Sequence, residues 1–134
     1  MKLIIAGSRD IDDYEYLLEA IEACPFDTID EIISGAAGGV DRLGEIWSEN
    51  FLDKPATKFP AKWNDIKVKG AFVKKNLYGR EYNAYAGFLR NMEMVAYGDA
   101  LLAVWNGKSK GTADIIKKMR NAGKPVYVYN LSSV

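Results

Sequence analysis

Short apolar runs, each cut off by glycine, proline or a polar loop, alternate with stretches of helical periodicity along the whole chain, and this alternation leaves few folds open. Lys2 to Ala6 is a nearly continuous apolar run, as expected of a central strand covered on both faces. Thr28 to Ile33, Ala100 to Trp105 and Val126 to Tyr129 have the same strand character. Pro55 to Pro60 gives a weaker strand, and its bounding prolines suit a sheet edge. Between the strands, four apolar sets recur at helical spacing: Tyr14, Leu17, Leu18 and Ile21; Val40, Leu43 and Trp47; Leu89, Met92, Val95 and Ala96; and Ile115, Ile116 and Met119. Asp12-Asp13-Tyr14-Glu15 has the form of a helix start, with an Asp N-cap and a Glu three residues on. Pro25 stops that helix, the second is expected over Val40 to about Phe51, and Gly123-Lys124-Pro125 stops the last. Strands alternating with helices imply βαβ units with right-handed crossovers. The expectation is one α/β domain over 1–134: Rossmann-like and doubly wound, with about five mostly parallel strands and helices on both faces.

One stretch breaks the pattern. From 61 to 86 the periodicity dissolves into mixed charge, glycine and aromatics, as expected of a lid or an irregular excursion. Lys62, Lys67, Lys69, Lys74, Lys75 and Arg80 make it basic, whereas acidic residues crowd the first 31 positions. Lys plus Arg and Asp plus Glu both total 18, so a whole-surface attraction for nucleic acid is not favoured. Tyr78, Tyr82 and Tyr85 suit base stacking, subunit contact or simple packing. Trp63 and Trp105 are expected in the core, with Trp105 close to the loops described next.

Histidine is absent and Cys24 is the only cysteine, which excludes Ser-His-Asp and Cys-His catalysis and thiolate metal clusters. No metal or cofactor is expected, and Cys24, at the end of an apolar helical face, reads as a small buried residue. No signal peptide or membrane-length apolar run is present, so no membrane partner is expected and the cytoplasm is the expected compartment.

In a parallel sheet every strand-to-helix loop emerges at the carboxyl edge, where ligands bind at the reversal of strand order. Three such loops are small, polar or cationic: Gly7-Ser8-Arg9, the Ser34–Asp41 loop, and Asn106 to Thr112. Glycines there allow backbone N–H groups to approach a phosphate, and a helix N-terminus favours its charge. The candidate ligand-binding residues are Gly7, Ser8, Arg9, Ser34, Gly35, Gly38, Gly39, Asp41, Asn106, Gly107, Ser109, Gly111 and Thr112, with Lys108 and Lys110 as further cations. For Ser8, Ser34, Ser109 and Thr112 the plain alternative is helix or turn capping, and for the glycines a tight turn. Asp41 complements the positive end of its helix and is placed to accept from a ribose hydroxyl.

Gly7-Ser8-Arg9, Ser34-Gly35 through Gly39-Val40-Asp41, Pro60-Ala61-Lys62-Trp63, Ala86-Gly87-Phe88-Leu89-Arg90-Asn91 with Met94, Ala100 to Trp105 and Gly107 to Thr112 occur in one order. This set resembles the YspA-like (cpYpsA-related) branch of the SLOG superfamily, whose wider relatives include the DNA-processing protein A family and the LOG phosphoribohydrolases. Small members of the branch are frequent in bacteria and phages. The resemblance covers nearly the whole chain and implies a Rossmann-like domain that binds nucleotides or nucleotide-derived ligands. It adds Arg90 as a clamp for phosphate or carboxylate and Asn91 as a donor to a base edge. Without it, a surface ion pair and a helix cap are the simpler roles. It also implies a homo-oligomer built through the helices flanking the sheet.

Two departures stand out. The family glycine loop is close to Ser-Gly-Gly-Ala-Arg-Gly-Val-Asp, whereas here Ala36 replaces a glycine and Gly38 the arginine, so weaker phosphate affinity is expected. The phosphoribohydrolases resemble Pro-Gly-Gly-x-Gly-Thr-x-x-Glu at the later loop, and here Ile115 holds the glutamate's place. Asp114 is adjacent, but one helical step turns a side chain by about 100°. The leading expectation is therefore binding, by sensing or sequestration, of a nucleotide-derived ligand. The alternatives are a hydrolase of an N-glycosidic or phosphoribosyl bond, with Asp41 or Asp114 as the acid, and a DNA-associated protein.

Overall fold

The computed structural model describes residues 1–131 of the chain. Its main sheet contains β1 (Lys2–Gly7), β2 (Glu31–Ser34), β3 (Thr57–Lys58), β6 (Ala100–Trp105) and β7 (Val126–Asn130), in the order β3-β2-β1-β6-β7 and parallel throughout. Helices α1 (Tyr14–Ala23) and α2 (Val40–Trp47) cover one face; α3 (Ala86–Tyr97) and α4 (Lys110–Asn121) cover the other. The fold is the expected doubly wound, Rossmann-like α/β arrangement, with β3 as the proline-bounded edge strand.

Alternation along the two central strands assigns each side chain to a face. Leu3 and Ile5 of β1 join Leu102 and Val104 of β6 under α1 and α2, packed on Leu17, Ala20, Val40, Leu43 and Trp47. Ile4 and Ala6 join Leu101 and Ala103 under α3 and α4, against Met94, Val95, Ile115, Ile116 and Met119. Burial on both faces is why β1 reads as an unbroken apolar run.

Several boundaries and faces differ from expectation. The second strand starts at Glu31 rather than Thr28, because Asp30 N–H donates to the Met1 carbonyl (2.9 Å) and the Met1 ammonium donates to the Thr28 carbonyl (2.8 Å), which ties this approach to the chain start. Asp13 rather than Asp12 caps α1, accepting from Glu15 N–H at 3.0 Å. Helix α2 passes at Ser48 into a π-helical turn, Ser48–Leu52, closed by Asp53 in the left-handed region. The inward face of α3 is Ala86, Asn91, Met94 and Val95, so Met92 and Ala96 point outward. Cys24 is half-buried at the α1 C-terminus, where burial pushes its thiol pKa up.

The 61–86 stretch is more ordered than its composition suggests. It contains an antiparallel hairpin, β4 (Val73–Lys75) and β5 (Glu81–Asn83), anchored by Asn83 N–H to the Trp63 carbonyl at 2.7 Å and Ala84 N–H to the Phe72 carbonyl at 2.8 Å. Trp63 is 40% exposed and so is not a core residue.

At the carboxyl end of β1 the backbones crowd. A Cβ on Gly7 would collide with the Val104 carbonyl oxygen and the Val40 side chain. Gly7→Ala is expected to lower stability by about 3 kcal/mol, the upper end for overpacking. Urea denaturation should show a lower midpoint at unchanged slope; an unchanged midpoint would mean that β1 and β6 part there without cost.

Candidate functional site

The reversal of strand order lies between β1 and β6, where the chain goes to opposite sides of the sheet. A cavity of about 430 Å³ opens at the carboxyl edge there. Gly7, Ser8, Arg9 and Asp10 from the first loop, Ala37 and Asp41 from the second, and Asn106, Ser109, Gly111 and Thr112 from the third line it. Arg90, Asn91 and Met94 of α3 close one side, with Trp63 and Phe88 as aromatic walls. All three loops thus converge on one space, as the topology requires.

The first loop is tightly built. Ser8 is fully buried, and its Oγ accepts from Asn106 N–H at 3.0 Å, which joins the first loop to the third. The Ser8 carbonyl accepts from Ile11 N–H (3.4 Å) and from Val40 N–H (3.3 Å), the first donor of α2. Gly39, at φ +66°, sits so close to the Ser8 and Arg9 carbonyls that any Cβ would clash. Arg9 is exposed at the cavity wall, and among the described residues it forms no ion pair.

The second loop closes largely on itself. Ala36 N–H donates to Ser34 Oγ at 3.0 Å and Ala37 N–H to Asp41 Oδ2 at 3.2 Å. Ser34, fully buried, donates to Glu45 Oε2 at 2.6 Å and does not line the cavity. Its hydroxyl holds the turn. Ala36 has φ +58°, a left-handed conformation that strains a side chain. Gly38 lies in open space outside the cavity lining, and Gly107, left-handed at φ +81° in the third loop, is outside the lining as well.

Arg90 straps this loop to α3. Its Nη1 donates to the Gly35 carbonyl and, at 3.4 Å, to the Phe59 carbonyl; its Nε donates to Asn91 Oδ1 at 3.0 Å. A Cβ on Gly35 would fall 2.6 Å from Arg90 Nη1 and 2.8 Å from Asp41 Oδ2, so only glycine lets the two charges flank the turn. Burial lowers the Arg90 pKa, and nearby Asp41 opposes that shift. Among the described residues no hydrogen bond engages Arg90 Nη2, which leaves this edge of the guanidinium to the cavity.

Asn91 is a strut. Its Nδ2 donates to the Gly111 carbonyl (3.1 Å) and to Asp114 Oδ2 (3.0 Å), and its Oδ1 accepts from Arg90, so α3 and α4 are tied through one amide. Asp114 also accepts from Lys118 Nζ at 2.5 Å and stays out of the cavity lining.

In the third loop Asn106 Oδ1 accepts from Lys108 N–H (2.8 Å) and Ser109 N–H (2.9 Å), and Ser109 caps α4 by accepting from Thr112 N–H at 3.4 Å. Thr112 Oγ1 donates to Ser109 Oγ at 3.1 Å. The Lys110 and Gly111 N–H groups, in the first turn of α4, have no intrahelical partner. Lys108 and Lys110 are exposed and lie outside the lining.

Family models, curated proteins and solved structures give no match to this chain. The site therefore has to be read from its own chemistry. Asp10, Trp63, Phe88 and Met94 were not among the candidates. Asp10 accepts from Asn106 Nδ2 at 3.2 Å, and the Trp63 indole and Phe88 ring offer flat apolar surface. Proximity of Asp10 to Gly7-Ser8-Arg9 was the available signal; Trp63 and Phe88 lay inside stretches that also carry the family resemblance. Among the described residues no group of three His, Cys, Asp or Glu side chains is placed to hold a metal ion.

Asp41 is the electrostatic centre of the site. Only 6% exposed, its carboxyl is pushed up to about 6 by burial; the Ala37 N–H, Arg90 and Arg9 pull it down, while Glu45 pushes it further up. Its pKa is higher folded than unfolded, so the native state holds the proton more tightly, and stability falls as pH rises from about 4 to 6. The loss is on the order of 3 kcal/mol. Asp41→Asn stays neutral and should gain on the wild type across that window, measured as the difference between their urea midpoints at pH 4 and pH 7. Equal differences at both pH values would show that Asp41 is not shifted. At Ala36 the expected effect is simpler: Ala36→Gly relieves the left-handed strain and should raise stability by about 1 kcal/mol, read as a higher Tm, whereas a lower Tm would contradict that backbone conformation.

Proposed function

We propose that the cavity binds a nucleotide or nucleotide-derived ligand, with its phosphate on the α4 side and its base between the aromatic walls. The observation that carries this reading is the meeting of two arginines, Arg9 and Arg90, with the first turn of α4 in one cavity of about 430 Å³ at the switch in strand order. That volume suits a ligand of nucleotide size. Arg90 is held by the protein through Nη1 and Nε, so its remaining donors are aimed before any ligand arrives. Ser109 and Thr112 bring hydroxyls to the same wall, and Trp63 and Phe88 offer faces for a planar ring. The resemblance to YspA-like SLOG proteins points the same way. No helix among the described residues is long and apolar enough to cross a membrane, and a cytoplasmic binding protein is the setting we favour.

A second reading rests on Asp41. A buried carboxyl with a pKa near 6, facing a cavity, is suited to protonating a departing base in N-glycosidic hydrolysis. Asp114 does not share that position, because Asn91 and Lys118 occupy it.

Thermal unfolding against a panel of mononucleotides, cyclic nucleotides and ADP-ribose-type ligands tests the first reading. A ligand at 100 times its Kd should stabilise by about 2.7 kcal/mol, several degrees for a domain this small. Arg9→Ala, at an exposed side chain, and Gly111→Ala, whose methyl enters open space, should both melt like the wild type and lose most of the ligand shift. A shift that survives both substitutions would move the ligand elsewhere. If a hit is found, appearance of free base in the wild type but not in Asp41→Asn would select hydrolysis over binding alone.

A further inference from the structure

The β4–β5 hairpin is the least expected element of the fold; its base holds the cavity wall at Trp63 through Asn83 N–H, but the cavity does not account for its tip. Its turn is closed by hydrogen bonds: Asn76 Oδ1 accepts from Tyr78 N–H at 2.9 Å and Arg80 N–H at 3.0 Å, Asn76 N–H donates to the Arg80 carbonyl at 2.9 Å, and Gly79 takes φ +77°. At this built tip Leu77 is 100% exposed and Tyr78 94% exposed. A turn so well fixed, holding two apolar side chains in water, is organised to present them.

Charge specifies what they are presented to. Residues 62–82 hold six cations, Lys62, Lys67, Lys69, Lys74, Lys75 and Arg80, against the two carboxylates Asp65 and Glu81. The rest of the chain is the reverse, with twelve cations and sixteen carboxylates. All six cations are exposed, and none forms an ion pair among the described residues; Lys74 alone lies over a ring, that of Phe72, at 5.2 Å. The neutral total thus conceals a cationic arm on an anionic body, and a polyanion would meet the arm while the body repels it.

We infer that the hairpin is an arm that binds single-stranded nucleic acid, with Tyr78 stacking on a base and Lys74, Lys75 and Arg80 meeting the phosphates beside it. Each strand of the ribbon has three residues, a span of about 10 Å, too short to follow a turn of duplex groove at about 34 Å. An exposed aromatic ring flanked by cations is the minimal unit of sequence-tolerant single-strand binding. The inference stands on the arm alone and is independent of what fills the cavity.

The test is fluorescence anisotropy of a short labelled oligothymidylate with the full chain, titrated at several salt concentrations. The wild type should bind at low salt, and log Kd should rise linearly with log salt. Lys74→Glu/Lys75→Glu should lower that slope by roughly 1.4, about 0.7 for each lost phosphate contact on a single strand. Tyr78→Ala should leave the slope unchanged and weaken binding about tenfold at every salt concentration. All three side chains are exposed, so the variants should melt with the wild type. No wild-type binding at low salt overturns the inference, as does binding whose slope and affinity both variants preserve. Light scattering separates the remaining alternative: a wild-type oligomer that Leu77→Ser/Tyr78→Ala dissolves, without oligonucleotide binding, would make the tip a contact between copies and sink the nucleic-acid arm.

Discussion

At the carboxyl end of β1 three stretches of backbone pack with no room for a side chain between them. Gly7 lies against the Val104 carbonyl of β6, and Gly39 lies against the carbonyls of Ser8 and Arg9. The Ser8 carbonyl receives the first N–H of α2, and Ser8 Oγ receives the N–H of Asn106. These contacts fix where α2 starts, how far β6 extends and where the third loop leaves the sheet. The cavity is what remains when three loops are pinned at their roots and diverge above them. At the loop roots it is bounded by backbone, held by hydrogen bonds that buried polar groups require, while Arg90, Met94, Trp63 and Phe88 supply its side-chain walls.

Arg90 does on the other face what Ser8 does at the centre. It reaches from α3 to the Gly35 and Phe59 carbonyls, and its neighbour Asn91 reaches to α4. A half-buried guanidinium is costly unless it is well bonded. Here two carbonyls and an amide hold it, with the Asp41 carboxyl close by. One side of the group is structural and the other faces the cavity. A substitution at Arg90 would therefore disturb the walls together with the site, which is why Arg9, exposed and without an ion pair among the described residues, is the cleaner probe.

The fold was legible because burial on both faces writes itself as uninterrupted apolar strands, and because caps and prolines mark the connections. Where one feature serves two purposes the sequence misled. Met92 looks apolar at the right spacing but is 56% exposed, while Asn91, a polar residue no hydrophobic count would place inside, is buried as the bridge between α3 and α4. The hairpin was invisible for the opposite reason: Val73, Lys74 and Lys75 are all exposed, so no alternation records their pairing. Among the candidate site residues, chain topology alone predicted that the loops of Ser8, Asp41 and Ser109 would meet. It did not reveal that Ala36, Ala37 and Val40 already donate within the protein, because hydrogen bonds between backbone and neighbouring side chains leave no compositional trace.

The burial of Asp41 has a consequence for solution behaviour. In a chain without histidine, this carboxyl is the group that burial moves close to neutrality within the cavity. An anion seated near it would favour its protonated form, because two negative charges in a poorly solvated space repel. Ligand occupancy and proton uptake then become one linked equilibrium, each strengthening the other by the same factor. A phosphorylated ligand of the proposed kind would be held more tightly in mildly acidic solution than above neutrality, which would give a pocket with no imidazole a proton-sensitive grip.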